Sequence, residues 1–245
     1  MVDPDPNAGI GERTIRDFGE QWSHYPDNVG YHASLALLQD ILGPLLSVRE
    51  LAGKRVAEIG SGTGRVVGML LQGGAEHVFA VEPSVGVHRL RANVAAEPGR
   101  VEVIHGPGEA LPQDGSRDFV FVIGVLPFIP HPIPVLQTAL HALRPGGRLV
   151  VWVYSHEGNA AYVPLCRVLP LPMREYVTTT FARFSRSKRR EVIYDQLNPT
   201  YVRWFRRNEL EQLVTDAGFV SPRLYHRHGY SWTLVAERPD RARGA

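Results

Sequence analysis

Between residues 54 and 154 the sequence alternates between short apolar runs and segments of helical periodicity, with short connections throughout. That beat limits the chain to few folds. Residues 54–59, 77–81, 101–104, 118–123 and 148–154 read as strands. The fourth of these, Asp118 to Ile123, is nearly all apolar, as a strand buried on both faces must be. Residues 65–71, 87–96 and 135–143 read as helices, the last stopped by Pro145-Gly146-Gly147. Strand–helix–strand units of this length build a parallel sheet with helices on both faces.

The flanks follow other rules. Leu35, Leu38, Leu42 and Leu45 stand at helical spacing within residues 31–46. Before them, Phe18 to Tyr25 is aromatic-rich and shows no clear period. After the fifth strand, residues 156–203 lose the beat and carry Pro164, Pro170, Pro172 and Pro199. They also carry a basic cluster of Arg183, Arg186, Lys188, Arg189 and Arg190. An insertion this long in a compact domain is expected to be a lid or binding element. Order returns at Asn208, where Leu210, Leu213, Val214 and Ala217 form one helical face. Asn208 and Glu211 resemble a capping box, and Gly218 is placed to end the helix. Residues 219–226 and 231–237 then read as strands joined by a tight turn at Arg227-His228-Gly229-Tyr230, and so must be antiparallel. The expected division is 1–48, an N-terminal aromatic segment and cap helix; 49–154, a ligand-binding core; 155–204, a lid; 205–238, a helix and hairpin completing the sheet; and 239–245, a tail.

Composition closes several routes. With 44% hydrophobic residues the chain can bury a core, and 27 basic against 25 acidic residues leave a net charge of +2, which calls for no nucleic acid. One cysteine, Cys166, excludes an intramolecular disulfide framework. The first eleven residues hold two acids and two prolines and no apolar run, unlike a signal or transit peptide. The longest apolar stretch, 119–130, contains Pro127 and Pro130 and falls short of the roughly 20 residues a membrane span needs. A cytoplasmic protein is expected. His226 and His228 have no third ligand nearby in sequence, so no metal site is expected.

The sharpest local feature is Glu58-Ile59-Gly60-Ser61-Gly62-Thr63-Gly64, between the first strand and a helix. Glycines let a ligand approach the backbone closely, and a helix N-terminus offers free N–H groups. The dinucleotide fingerprint sets its third glycine three residues after the second. Here that place is Arg65, and Gly64 comes one residue early. No Gly-Lys-Ser/Thr follows, so a P-loop is excluded. Glu58 would oppose a pyrophosphate but suits a ligand bearing an ammonium group. Glu82 ends the second strand, where a carboxylate lies beside a ribose in a doubly wound sheet.

These residues, with Gly108-Glu109-Ala110-Leu111-Pro112, the run from Asp118 to Leu126, and Leu143 to Leu149, occur in an order that resembles the class I S-adenosylmethionine-dependent methyltransferases. The small-molecule branch with the ubiquinone and menaquinone methyltransferases is the nearest likeness. It implies a Rossmann-like, doubly wound, seven-stranded mixed α/β sheet with its last strand antiparallel, and S-adenosylmethionine as cofactor. It implies that Gly60, Ser61, Gly62, Thr63 and Gly64 wrap the methionine end, with Glu58 toward the amino group. Glu82, followed by Pro83 and Ser84, would hold the ribose. Gly108, Glu109 and Ala110 would flank the adenine, and Ile123, Gly124 and Val125 would line the floor near the sulfonium. Two departures stand out. Pro107 follows Gly106 where the family often has Asp, and Pro127-Phe128 stands where it often has a His pair.

For a base, His131 and His156 rank highest, because loops at the carboxyl ends of parallel strands face the ligand crevice. Trp22, Tyr25, Tyr31, Phe128, Tyr194 and Tyr201 are candidate acceptor contacts, and the first three could equally pack a helix onto the sheet. The basic cluster would suit an anionic small-molecule acceptor, or form a solvated face. A homo-oligomer is compatible with the sequence. Two rivals remain: an enzyme of the same fold catalysing cyclisation, decarboxylation or hydroxylation, and a non-catalytic cofactor-binding subunit.

Overall fold

The computed structural model describes residues 9–24, 28, 30–159 and 201–240. Most of the lid segment, with its basic cluster and Tyr194, lies outside them, as does Tyr25. Seven strands form one sheet: β1 (Arg55–Ile59), β2 (His77–Glu82), β3 (Val101–His105), β4 (Arg117–Ile123), β5 (Leu143–Tyr154), β6 (Val220–Arg227) and β7 (Ser231–Glu237). Their order is β3-β2-β1-β4-β5-β7-β6. Neighbours from β3 to β5 are parallel, while β7 runs antiparallel to both β5 and β6. This is the doubly wound mixed sheet the sequence implied.

Helices cover both faces. Among the described residues the helices are α1 (Ile10–His24), α2 (Leu35–Leu42), α3 (Arg65–Gln72), α4 (Val87–Asn93), α5 (Ile133–Ala142), α6 (His156–Asn159) and α7 (Arg207–Asp216). On one face Leu38, Leu42, Val67, Leu70 and Leu90 pack on Val56, Val78, Phe119 and Phe121. On the other, Leu136, Ala139, Leu210 and Val214 pack on Ala57, Val81, Val120, Val122, Val151 and Leu234. Successive residues of a strand therefore serve opposite cores, and this is why β4 shows no polar alternation.

Several local expectations needed correction. The aperiodic aromatic stretch is helical: Phe18 and Trp22, four residues apart, lie in α1. The helix expected over 31–46 is shorter. The Ser34 hydroxyl accepts the Leu37 N–H and caps α2, Gly43 ends it, and Gly30–Ala33 forms a separate 3-10 turn. Pro145-Gly146-Gly147 does not stop a helix. Helix α5 already ends at Ala142, and Leu143 pairs with Arg117 to open β5. The capping carboxylate of α7 belongs to Glu209, which accepts the Arg206 N–H at 3.1 Å, rather than to Glu211.

Helix α2 is tied to the β6–β7 turn by Asp40, which receives Arg227 and, at 2.9 Å, His228. Burial opposes ionisation of Asp40, but the hydrogen bonds and charges of Arg227 and His228 outweigh it and hold the carboxyl below its ordinary range. A depressed carboxyl stabilises the fold above its unfolded value near 3.8, and that contribution is lost as pH falls through the folded value. Asp40→Asn should lower the melting temperature at neutral pH. It should also make the fall in melting temperature between about pH 4 and 2 shallower than in the parent. Parallel melting curves by calorimetry would show that the pair contributes nothing.

Candidate functional site

The strand order reverses between β1 and β4, so the connections leaving their carboxyl ends part to opposite faces and a crevice opens above them. The glycine loop lies there. Gly60 and Ser61 donate N–H groups to the Val81 carbonyl at 2.8 and 3.0 Å, which folds the loop over the end of β2. Gly60, Gly62 and Gly64 all have φ between 54° and 87°, a region that side-chain-bearing residues rarely adopt. A side chain at Gly60 would collide with Val125 after β4. The loop therefore fits closely against the β4 end as well.

Two buried carboxylates face this loop. Glu82 accepts the Gly62 N–H at 2.7 Å and the Ser84 N–H at 2.9 Å, one on each oxygen, and so binds the turns after β1 and β2 together. Glu58 is 2% exposed, and its Oε2 has no hydrogen-bond partner. Burial pushes its carboxyl up to about 8, against the opposing pull of Arg65 and a hydrogen bond with Ser61. A buried carboxylate with an open acceptor is costly unless a positive group meets it.

Helix α1 covers the loop. The Trp22 ring stands 3.1 Å from where a Gly62 side chain would begin and 2.9 Å from that of Gly86. Phe18 packs edge-on against Phe128, with centroids 4.6 Å apart. Asn28, which the sequence reading overlooked, exchanges hydrogen bonds with Thr63 at 2.9 Å. No periodic or motif signal pointed to it.

The remaining candidates are more dispersed. Glu109 and Ala110 are exposed on the 3-10 turn Gly108–Ala110 after β3, and Pro83 is half-buried beside Glu82. Ile123, Gly124 and Val125 form the β4 end, the last two partly open. His131 is exposed on the connection to α5. His156 opens α6, with Nε2 3.4 Å from the Arg206 guanidinium. Tyr31 is 61% exposed, and Tyr201 is half-buried. His226 and His228 have separate partners: His226 stacks on Trp232 at 4.2 Å and meets Ser155 at 3.0 Å, and His228 meets Asp40. Among the described residues no group of three side chains is arranged to hold a metal ion.

A sequence family described as "Methyltransferase domain" matches residues 57–151. The demethylmenaquinone methyltransferase of Clavibacter sepedonicus is 30% identical over 183 residues, which is 74% of this chain and 71% of that protein. The chain belongs to the S-adenosylmethionine-dependent methyltransferases. Its cofactor is S-adenosylmethionine. A methyltransferase of Thermotoga maritima, described as a possible histamine N-methyltransferase, shares the fold with a TM-score of 0.54 at 23% identity, over 94% of this chain and 98% of that one. The tRNA U34 carboxymethyltransferase of Idiomarina loihiensis is 31% identical over 119 residues, but these span only 46% of this methyltransferase and 37% of that enzyme.

Glu82→Ala should strip two buried N–H groups of their acceptor and cost about 1–3 kcal/mol in urea unfolding without ligand. Glu82→Gln keeps an acceptor oxygen and should cost less. Equal stability of all three forms would show that the carboxylate does not hold the loops.

Proposed function

We propose that this methyltransferase binds S-adenosylmethionine along the crevice and methylates a small, ring-bearing acceptor of the quinol or phenol kind. Glu58 carries the cofactor assignment. Its unpartnered oxygen is buried beside a loop whose glycines leave room for backbone contact, and an amino acid's ammonium group is the charge that satisfies it. Gly60 to Gly64 wrap the methionine moiety. Glu82 keeps lone pairs for the ribose hydroxyls beside the two amides it already receives, with Pro83 and Ser84 alongside. Gly108, Glu109 and Ala110 flank the adenine, and Ile123, Gly124 and Val125 floor the reacting centre.

Bound there, the cofactor supplies an activated methyl group for in-line displacement. This chain's residues then have three tasks: to position the acceptor, to exclude water and, for an acceptor that must ionise, to take a proton. Trp22 and Phe18 on α1 cover the loop and the Phe128 wall. That wall is apolar, which suits exclusion of water more than proton transfer. His131 and His156, on the connections after β4 and β5, are the candidate bases. From their sequence, residues 155–204 are assigned to acceptor binding, and their basic cluster favours an anionic group on the acceptor. The acceptor class is supported by the demethylmenaquinone relative, which is matched over most of both chains. The tRNA-modifying relative is matched over less than half of either. No helix among the described residues is long and apolar enough to cross a membrane, and we place the enzyme in the cytoplasm.

Methyl-labelled cofactor should pass label to dihydroxynaphthalene or dihydroxybenzoate acceptors, with one S-adenosylhomocysteine formed per methyl transferred. Label transferred to tRNA and to no phenolic acceptor would overturn the acceptor class. An acceptor converted to an unmethylated product, with no S-adenosylhomocysteine released, would favour the non-methylating rivals.

Glu58 gives a second test. With its carboxyl raised to about 8 it is mostly protonated at pH 7, and pairing with an ammonium group requires the ionised form. Cofactor binding should then release about one proton near pH 6–7 and tighten up to about tenfold per pH unit, levelling off above pH 8. Calorimetry in buffers of different ionisation enthalpy measures the proton. Glu58→Gln should abolish the release, and an unchanged release would remove Glu58 from the ammonium site.

A further inference from the structure

Strand β5 lies between β4 and β7, with hydrogen-bonded neighbours on both edges. Leu149, Val150, Val151 and Val153 are fully buried. Trp152, in the middle of this run, is only half-buried. A large ring open to solvent on an interior strand has to face a cavity. The adjoining strand end says which one, because Gly124 donates its N–H to the Trp152 carbonyl at 2.9 Å, and Gly124 and Val125 are also partly open. Gly124 has φ +73°, and a side chain there would start 3.6 Å from Cζ3 of the indole. The ring thus continues the crevice from the β4 end toward β5.

The ring is also held. Its Nε1–H donates to Ser231 Oγ at 3.1 Å. Tyr154 stands across it at 5.0 Å and 68°, and Tyr230 at 6.5 Å and 74°. The Tyr230 hydroxyl in turn receives an Arg227 N–H, and Arg227 is paired with Asp40 of α2. An aromatic surface fixed in this way binds a flat ring without first losing side-chain freedom.

We propose that Trp152, with Tyr154 and Tyr230 set across it, is the acceptor-recognition wall, and that it selects a planar ring over an aliphatic acceptor. This rests on the small-molecule methyltransferase reading above and assigns that function's acceptor side to residues that no motif marks. The acceptor ring lies against the indole, with its reacting atom toward Gly124.

The test uses the full chain saturated with S-adenosylhomocysteine, 1-naphthol as the ring probe and hexanoate as the aliphatic one. The wild type should bind 1-naphthol at least tenfold more tightly than hexanoate. Trp152→Leu should weaken 1-naphthol at least tenfold and hexanoate less than twofold, with S-adenosylhomocysteine affinity within about twofold. Trp152→Phe should recover most of the 1-naphthol affinity. Should Trp152→Leu fail to hold S-adenosylhomocysteine, Tyr230→Leu on the hairpin gives the same comparison. Undiminished 1-naphthol affinity in a cofactor-competent variant overturns the wall, as does failure of Trp152→Phe to recover it. A wild type that binds 1-naphthol through Trp152 yet labels no ring acceptor refutes ring methylation and leaves the wall standing. Methyl transfer to rings that survives Trp152→Leu unchanged does the reverse.

Discussion

The arrangement rests on one topological constraint: β1 and β4 are parallel neighbours whose following connections leave toward opposite faces. Neither of these two connections closes the space above them, because the chain departs on both sides. Everything at the site is placed by that gap. The glycine loop leaves β1 into it, Gly124 and Val125 leave β4 into it, and Glu82 at the end of β2 reaches across to the loop amide of Gly62. The two apolar cores under the gap keep these strand ends rigid, since nearly every inward residue of β1, β2 and β4 is buried.

Electrostatics act on this frame through two carboxylates with different environments. Glu82 is satisfied by two backbone N–H groups and holds the loop in shape. Glu58 is buried at the same place with one oxygen lacking a partner, and desolvation pushes its carboxyl up to about 8. A folded protein tolerates such a group where a ligand repairs the deficit. Helix α1 adds a roof, with Trp22 over the loop and Phe18 against Phe128, so that one helix touches both the glycine loop and the turn after β4.

The core strands were legible because their signal is local: an apolar run of strand length, a glycine or a turn, then a helical period. Each observed strand from β1 to β4 lies within one residue of its expected bounds at either end. The elements that were misread depend on partners far away in sequence. The α1 aromatics look aperiodic because Phe18 meets Phe128 and Trp22 meets Gly62 and Gly86, three surfaces of different chemistry rather than one apolar face. Pro145 to Gly147 look like a helix stop, yet β5 begins before them because Leu143 finds a pairing partner in Arg117.

By itself the sequence determined the α/β alternation, the antiparallel closing hairpin, the glycine loop and the two acids beside it. All of these are set by residue type and spacing along one stretch of chain. Only the tertiary structure decided that Trp22 covers the loop, that Asn28 joins Thr63, and that Trp152, Tyr154 and Tyr230 meet beside Gly124. In the sequence Trp152 is one more apolar residue of a buried strand. Its partial exposure follows from the glycine at the neighbouring strand's end, which leaves the indole beside an open crevice instead of under a side chain. That juxtaposition belongs to the pairing of β4 with β5, which no single segment encodes.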